Sequence, residues 1–312
     1  MTTLDECVRC GVWRCVWARG NARRALPAPF AGLAPLALLA PLALFAPIAA
    51  ADQVTLSGDR DTTIIQPSPN ELSLGAAYQI YVGRVGSNGG GTIRRGIIRF
   101  PVDSIPPGSV VTSVKMNLYM SKGQGNAQVV SLKRCLSDWG EGPSFAFGGG
   151  GAEPETNDVT WTKRFFPSIA WNTPGGDFIA AASATKSVGN VGWYAFGSTT
   201  GLIVDVQSWV DGIASNYGWV VTGNETALQT AKRFETHDTT SIAWRPTLEV
   251  QFTPPPPPVP GDANGDGLVN GADLAVVLGS WGSCPKCAAD FNDDGAVDGA
   301  DIAIVLGNWS TP

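Results

Sequence analysis

A twelve-residue stretch that recurs after 28 residues near the C-terminus constrains this chain more than any other feature. The first copy runs from Asp262 to Asp273 and the second from Asp290 to Asp301, and they align without a gap. Oxygen-bearing side chains fall at positions 1, 3, 5, 9 and 12: Asp262, Asn264, Asp266, Asn270 and Asp273, then Asp290, Asn292, Asp294, Asp298 and Asp301. Gly267 and Gly295 hold position 6, where the chain turns sharply, and position 7 offers the backbone carbonyls of Leu268 and Ala296. This pattern wraps a backbone around a hard cation, so the tandem predicts two bound Ca²⁺ ions. Val269 and Val297 at position 8 are expected to pack on each other as the loops pair, with apolar helices over 274–281 and 302–309.

The charge distribution agrees. The formal net charge of -6 is uneven: residues 254–312 carry eight Asp against Lys286 alone, residues 52–253 are nearly neutral, and residues 1–51 are basic. An acidic segment of this density repels itself unless a cation neutralises it. A near-neutral middle gives no basic surface for nucleic acid, which is therefore not an expected partner.

Five consecutive prolines at 254–258, followed by Val259 and Pro260, mark the boundary of the calcium module. Such a run adopts extended polyproline II and acts as a semi-rigid spacer. Upstream, apolar residues alternate with period two. Val114, Met116, Leu118 and Met120 point one way while Lys115, Asn117 and Tyr119 point the other, and Leu248, Val250 and Phe252 alternate with Glu249 and Gln251. Further strands are predicted at 53–57, 77–83, 92–100, 127–134 and 217–222, with Gly-rich turns between them. The predicted fold is mainly β, a jelly-roll-like sandwich, joined to a small α-helical tandem of EF-hand-like units. One helix is expected inside the sandwich, over 201–212, where Leu202, Val206, Trp209 and Val210 share a face and Gly212 is the stop.

At the N-terminus, Arg19, Arg23 and Arg24 precede an apolar run over 33–45 that ends in small residues at 49–51. This reads as an export signal cleaved after Ala51, since Pro35, Pro41 and Pro47 interrupt a stretch already short for a membrane span. No later segment is apolar enough to span a bilayer, so a secreted or cell-surface location is expected. Four segments follow: a signal peptide at 1–51, the β-sandwich at 52–253, the proline-rich linker at 254–260 and the calcium module at 261–312. Cys7, Cys10 and Cys15 lie in the first of these, ahead of the signal's basic residues. Cys284 and Cys287 suit a redox pair, half a zinc site or a local disulfide; in an exported protein the disulfide is favoured. Cys135 is left over.

The single histidine, His237, removes most imidazole chemistry, including triads and His-rich zinc sites. It is read as a loop hydrogen-bonder. Asp138 and Glu141 flank Trp139 and offer two carboxylates, as a glycosidase requires, but three residues apart in a Gly-rich loop they suit loop stabilisation or ion binding as well. The expectation is a non-catalytic protein.

The tandem resembles a type I dockerin over residues 261–310, including Asp rather than Glu at position 12. The resemblance implies docking onto a cohesin on a scaffold or cell surface. Loop positions 10 and 11, where cellulosomal dockerins commonly carry Ser-Thr-like pairs, are Gly271 and Ala272 here, then Gly299 and Ala300. The calcium function thus carries over better than the partner.

The middle segment is similar to DNRLRE-domain proteins through Arg94 to Phe100, Asp138 to Gly142, Val159 to Trp161, Asn216 to Trp219, Lys232 to Phe234 and Arg245 to Leu248. That likeness implies an exported β-sandwich, some relatives of which bind acidic polysaccharides such as alginate. Where the family often reads Phe-x-Ser-Arg-Glu, this chain has Phe234, Glu235, Thr236, His237 and Asp238. Polysaccharide, with acidic glycans favoured, is accordingly the expected partner. Lys115, Asn117 and Tyr119 with Arg94 or Arg95 are the candidate sugar surface, because aromatic faces and charged hydrogen-bond donors hold acidic sugars. An ordinary solvated sheet face is the alternative. Most tryptophans, Trp139, Trp161, Trp171, Trp193, Trp209 and Trp219, are expected to pack rather than to bind.

Overall fold

The computed structural model describes residues 51–123 and 125–310. The predicted signal peptide, with Cys7, Cys10 and Cys15, lies outside the described residues apart from Ala51.

Fifteen strands and three α-helices follow in chain order among the described residues. One half of the β-domain is built on β5 (Val110–Gly123), whose inward residues Val114, Met116, Leu118 and Met120 are fully buried. β13 (Thr247–Thr253) and then β12 (Lys232–Glu235) pair with one edge of β5, and β10 (Gly192–Gly197) with the other. β1 (Asp52–Ser57) adds to β13. The other half comprises β4 (Ile93–Arg99), β11 (Trp219–Thr222), β6 (Gln128–Arg134) and β9 (Ala184–Val188) in that order, with β2 (Arg60–Ile65) also on β4. All these pairings are antiparallel.

The two halves form one curled sheet because β3 (Gln79–Arg84) belongs to both. Its first residues pair with β12, and Gly83 and Arg84 pair with β4. Gly83 makes that corner at φ 108°, and a Cβ there would meet the Thr230 carbonyl at 3.0 Å. Only glycine combines a left-handed backbone with so close an approach. The layers close over one core that includes Ile80, Phe100, Leu132, Phe196, Phe234 and Val250. This is the mainly β, two-layered architecture expected from the alternating pattern, with its layers continuous through β3.

α1 (Thr200–Val210) packs Leu202, Val206 and Trp209 onto that core. The Thr199 hydroxyl accepts from the Leu202 N–H and caps its start, while Gly212, at φ 66°, follows its end. A second, smaller core lies on the other face of β2, β4 and β11. There Ile64, Ile97 and Val220 meet Trp139, Val159 and Trp171, with Cys135 among them. The covering residues come from a long connection that contains the short strands β7 (Lys163–Phe165) and β8 (Ile169–Ala170). Of the six tryptophans expected to pack, Trp139, Trp171, Trp209 and Trp219 are buried and Trp161 partly so, whereas Trp193 is exposed.

In the C-terminal module, α2 (Gly271–Gly279) and α3 (Gly299–Gly307) each begin three residues earlier than the apolar pattern indicated. The reason is a capping box. Asn270 and Asp298 cap the helices, and Asp273 and Asp301 reach back to the capping residue's own N–H. Val269 and Val297 are both fully buried in a shared core with Val277 and Val305. Their backbones, however, do not pair with each other. Val297 lies opposite Gly282 where β14 (Gly282–Ser283) meets β15 (Ala296–Val297), and the Val269 carbonyl accepts from Ser310 N–H at 2.8 Å. Each loop thus zips onto the segment leaving the other unit's helix, a reciprocal arrangement with the same 28-residue offset as the sequence repeat.

Candidate functional site

The two loops share most of their hydrogen-bonding pattern. Asp262 accepts from the N–H groups of Gly265 at 2.7 Å and Gly267 at 2.8 Å; Asp290 accepts from Asp294 at 3.2 Å and Gly295 at 3.0 Å. Asp266 and Asp294 accept from the N–H groups of Leu268 and Ala296. Asn264 and Asn292 donate to Asp266 and Asp294 at 3.0 and 2.8 Å. Asn270 and Asp298 cap the following helices as described above. Position 4 is left-handed in both loops, at Gly265 (φ 74°) and Asp293 (φ 54°), and position 6 is left-handed at Gly267 and Gly295. Asp tolerates this conformation better than most side chains do, which explains its presence in the second loop.

Position 12 is the buried end of each loop. Asp273 and Asp301 have no solvent exposure. Burial alone would raise the Asp273 carboxyl, but N–H groups of Asn270, Asn264 and Ala263 donate to it and hold it below its usual range. A carboxylate kept ionised in a closed position, in a loop that also carries carboxylates at positions 1 and 5 and an amide oxygen at position 3, is suited to a hard cation. Between the loops, Cys284 and Cys287 form a disulfide, and Cys284 N–H donates to the Gly295 carbonyl at 3.0 Å. The bridge closes the turn leading into the second loop.

The residues proposed as one sugar surface are not together. Arg94 is buried and donates to the Gly149 carbonyl and the Thr92 hydroxyl. Arg95, its neighbour on β4, faces the opposite way, making two 2.8 Å bonds to Glu225 and lying over Trp161 and Phe178. Lys115 is ion-paired with Glu249 at 2.6 Å, and Asn117 donates to the same carboxylate at 2.7 Å. Tyr119 is stacked on Trp244, with ring centroids 4.8 Å apart, and meets Trp193 edge-on. Alternation along β5 put its three residues on one face correctly; it carries no information on where another strand's arginines point.

Arg94 instead lines a cleft of about 800 Å³ together with Lys122, Lys232, Arg233 and Tyr81. Four cationic residues contribute to its wall and, among the described residues, no carboxylate does. The Lys232 ammonium donates to the Asn126 carbonyl, and Arg233 donates to Ser121. Burial lowers Arg94 to about 10, still well above neutrality. Lys122, Lys232 and Arg233 are distant in sequence from Arg94 and converge only through the β12–β5 and β3–β4 pairings.

A third constellation was not anticipated as a unit. β2 brings Asp61, the loop after β6 brings Glu141, and the segment after β12 brings His237, with one ligand atom of each within 4.8 Å of the others. Burial pushes the Asp61 carboxyl up and the Glu141 carboxyl to about 7, while the adjacent Asp61 raises His237 to about 9. Asp138, the other half of the candidate carboxylate pair, is paired with Arg60 at 3.0 Å instead.

Residues 260–307 match the family described as dockerin type I domain. No curated protein matches the chain. The C-terminal module is therefore a dockerin domain, a calcium-binding class found in extracellular or cell-surface proteins. Among the described residues no helix is long and apolar enough to cross a membrane.

Proposed function

We propose that this is an exported, non-catalytic protein whose β-domain binds an acidic polysaccharide and whose dockerin module, holding two Ca²⁺ ions, attaches it to a cohesin-type partner. The observation that carries the glycan reading is the cleft lined by Arg94, Lys122, Lys232 and Arg233 with no carboxylate among the described residues. Carboxylate and sulfate groups on a sugar chain are recognised by guanidinium and ammonium donors, and a concave site raises the local concentration of anions. Tyr81 adds an aromatic wall of the kind against which a pyranose ring packs. The likeness of the middle segment to DNRLRE domains supports the same substrate class. For the module, the matched family and the repeated ligand geometry support calcium at both loops and docking onto a cohesin.

Affinity electrophoresis in gels containing alginate, polygalacturonate or a neutral glucan, with reducing-end release measured in parallel, tests this reading. Retardation by the acidic polymers, weakened by added salt and by the double change Arg94→Gln and Lys122→Gln, is expected. Release of reducing ends would sink the non-catalytic reading. Neither retardation nor release would leave a structural surface role.

A further inference from the structure

The cluster of Asp61, Glu141 and His237 shares no residue with the other sites described so far, and its contacts are long for charge-assisted hydrogen bonds. The His237 Nδ1 is 3.3 Å from Asp61 Oδ1 and 3.6 Å from Glu141 Oε1. A charge-assisted N–H···O bond has its heavy atoms at roughly 2.7–2.9 Å. Here Asp61 Oδ1 and His237 Nδ1 are both buried and neither has a hydrogen-bond partner. Asp61 itself is without solvent exposure. Two buried polar atoms facing one another without bonding are costly, at about 1–3 kcal/mol for each unmatched group, so their persistence calls for something between them.

We propose that Asp61, Glu141 and His237 bind a single divalent transition-metal ion of the zinc class. With bonds of about 2.0–2.1 Å, donors at the corners of a tetrahedron lie roughly 3.3–3.4 Å apart; the 3.3 Å from Nδ1 to Asp61 meets that spacing, and the 3.6 Å to Glu141 exceeds it by a few tenths of an ångström. The imidazole selects zinc-like ions over calcium or magnesium, which prefer all-oxygen shells. Charge balance points the same way. An imidazolium offers one positive charge to two carboxylates, whereas a divalent ion with neutral imidazole matches both. Arg60, adjacent to Asp61, directs its guanidinium to Asp138 and the Trp139 carbonyl instead.

The surroundings hold the donors in place. The His237 N–H donates to Asp61 Oδ2 at 2.8 Å, and the Asp61 N–H donates to Glu141 Oε1 at 2.7 Å. On the far side of the ring, the Asp238 carboxylate lies 3.5 Å from Nε2, where an outer carboxylate orients a metal-bound histidine. The donor atoms Asp61 Oδ1 and His237 Nδ1 are buried, while the Glu141 and His237 side chains as a whole are about one-fifth exposed. The ion would pin β2, the 138–142 loop and the segment after β12 together, three parts of the chain that no disulfide joins.

The test uses untagged full-length protein, stripped of metal and then equilibrated with Zn²⁺ in excess Ca²⁺ so that the dockerin loops are filled. Metal content after gel filtration is compared between the wild type and His237→Arg, in which the cation stays and the metal-binding lone pair is lost. The wild type is expected to retain about one zinc more per chain than the variant. Co²⁺ in place of zinc should give the visible absorption of a four-coordinate site in the wild type alone. Glu141→Gln, a second variant with its own fold checked by circular dichroism, should weaken zinc binding by about tenfold or more. Equal zinc content in the folded wild type and the folded variants, with no cobalt spectrum, would overturn the proposal and leave an imidazolium between two carboxylates.

Discussion

Removing the Asp273 carboxylate strips acceptors from three backbone N–H groups and a ligand from the first loop at once. Asp273→Ala should therefore reduce the calcium stoichiometry measured by calorimetry from about two to about one. Helix α2 should lose about 1 kcal/mol from its cap even without metal. Asp301→Ala should do the same to the second loop. Cys135 makes a different residue-level prediction. Burial in the second core pushes its thiol up to about 12, so only about one molecule in 10⁴ carries the thiolate at pH 8. Because the thiolate is the nucleophile, iodoacetamide labelling of the Cys135 peptide, followed by mass spectrometry, should be negligible in native protein at that pH. It should climb about tenfold per pH unit toward 12 and become rapid in denaturant. At this scale the proposed calcium ligands were open to a sequence reading because all five side-chain positions of a loop lie within twelve residues. Asp61, Glu141 and His237 were not, being separated by 80 and 96 positions along the chain and joined only by folding.

At the scale of elements, α1 depends on one buried carboxylate. Asp205 accepts from Trp219 Nε1 at 2.8 Å and from the Ser183 hydroxyl at 2.5 Å, with Arg134 at 3.6 Å, so it ties the helix to β11, to the entry of β9 and to β6. Asp205→Ala should cost about 3 kcal/mol in urea unfolding, since it leaves a buried indole N–H and an arginine without their acceptor. Asp205→Asn, which keeps one acceptor oxygen, should cost less. The helical face of α1 was visible in the sequence, but this role of Asp205 was not, because amphipathic periodicity counts it as polar and therefore outward. The strands show the same division. β5 and β13 have one wet face and one dry, and alternation found them. β2 was missed because the second core covers its other face, leaving five of its six residues buried with no alternation to read. β12 was missed because it reads Lys-Arg-Phe-Glu, yet Lys232 and Glu235 are buried in polar company rather than solvated.

For the whole molecule, the separation of cores decides how it unfolds. The dockerin core of Val269, Val277, Val297 and Val305 shares no residue with the sandwich core, and the proline-rich segment lies between them in sequence. The module is small and carries a charge of -7, so without calcium its carboxylates repel across a core too small to oppose them well. Two Ca²⁺ ions would bring the charge to about -3 and couple binding to folding. Calorimetry on metal-stripped protein should accordingly show a low transition for the module and a higher one for the β-domain. Adding Ca²⁺ to about 100 times its dissociation constant contributes about 2.7 kcal/mol per site. For a unit of this size each kcal/mol moves the midpoint by roughly 4–8 °C, so the low transition should rise by tens of degrees. The β-domain transition, whose core holds no calcium loop, should move by no more than about a degree over the same titration. Movement of both transitions together would mean that the two cores fold as one cooperative unit.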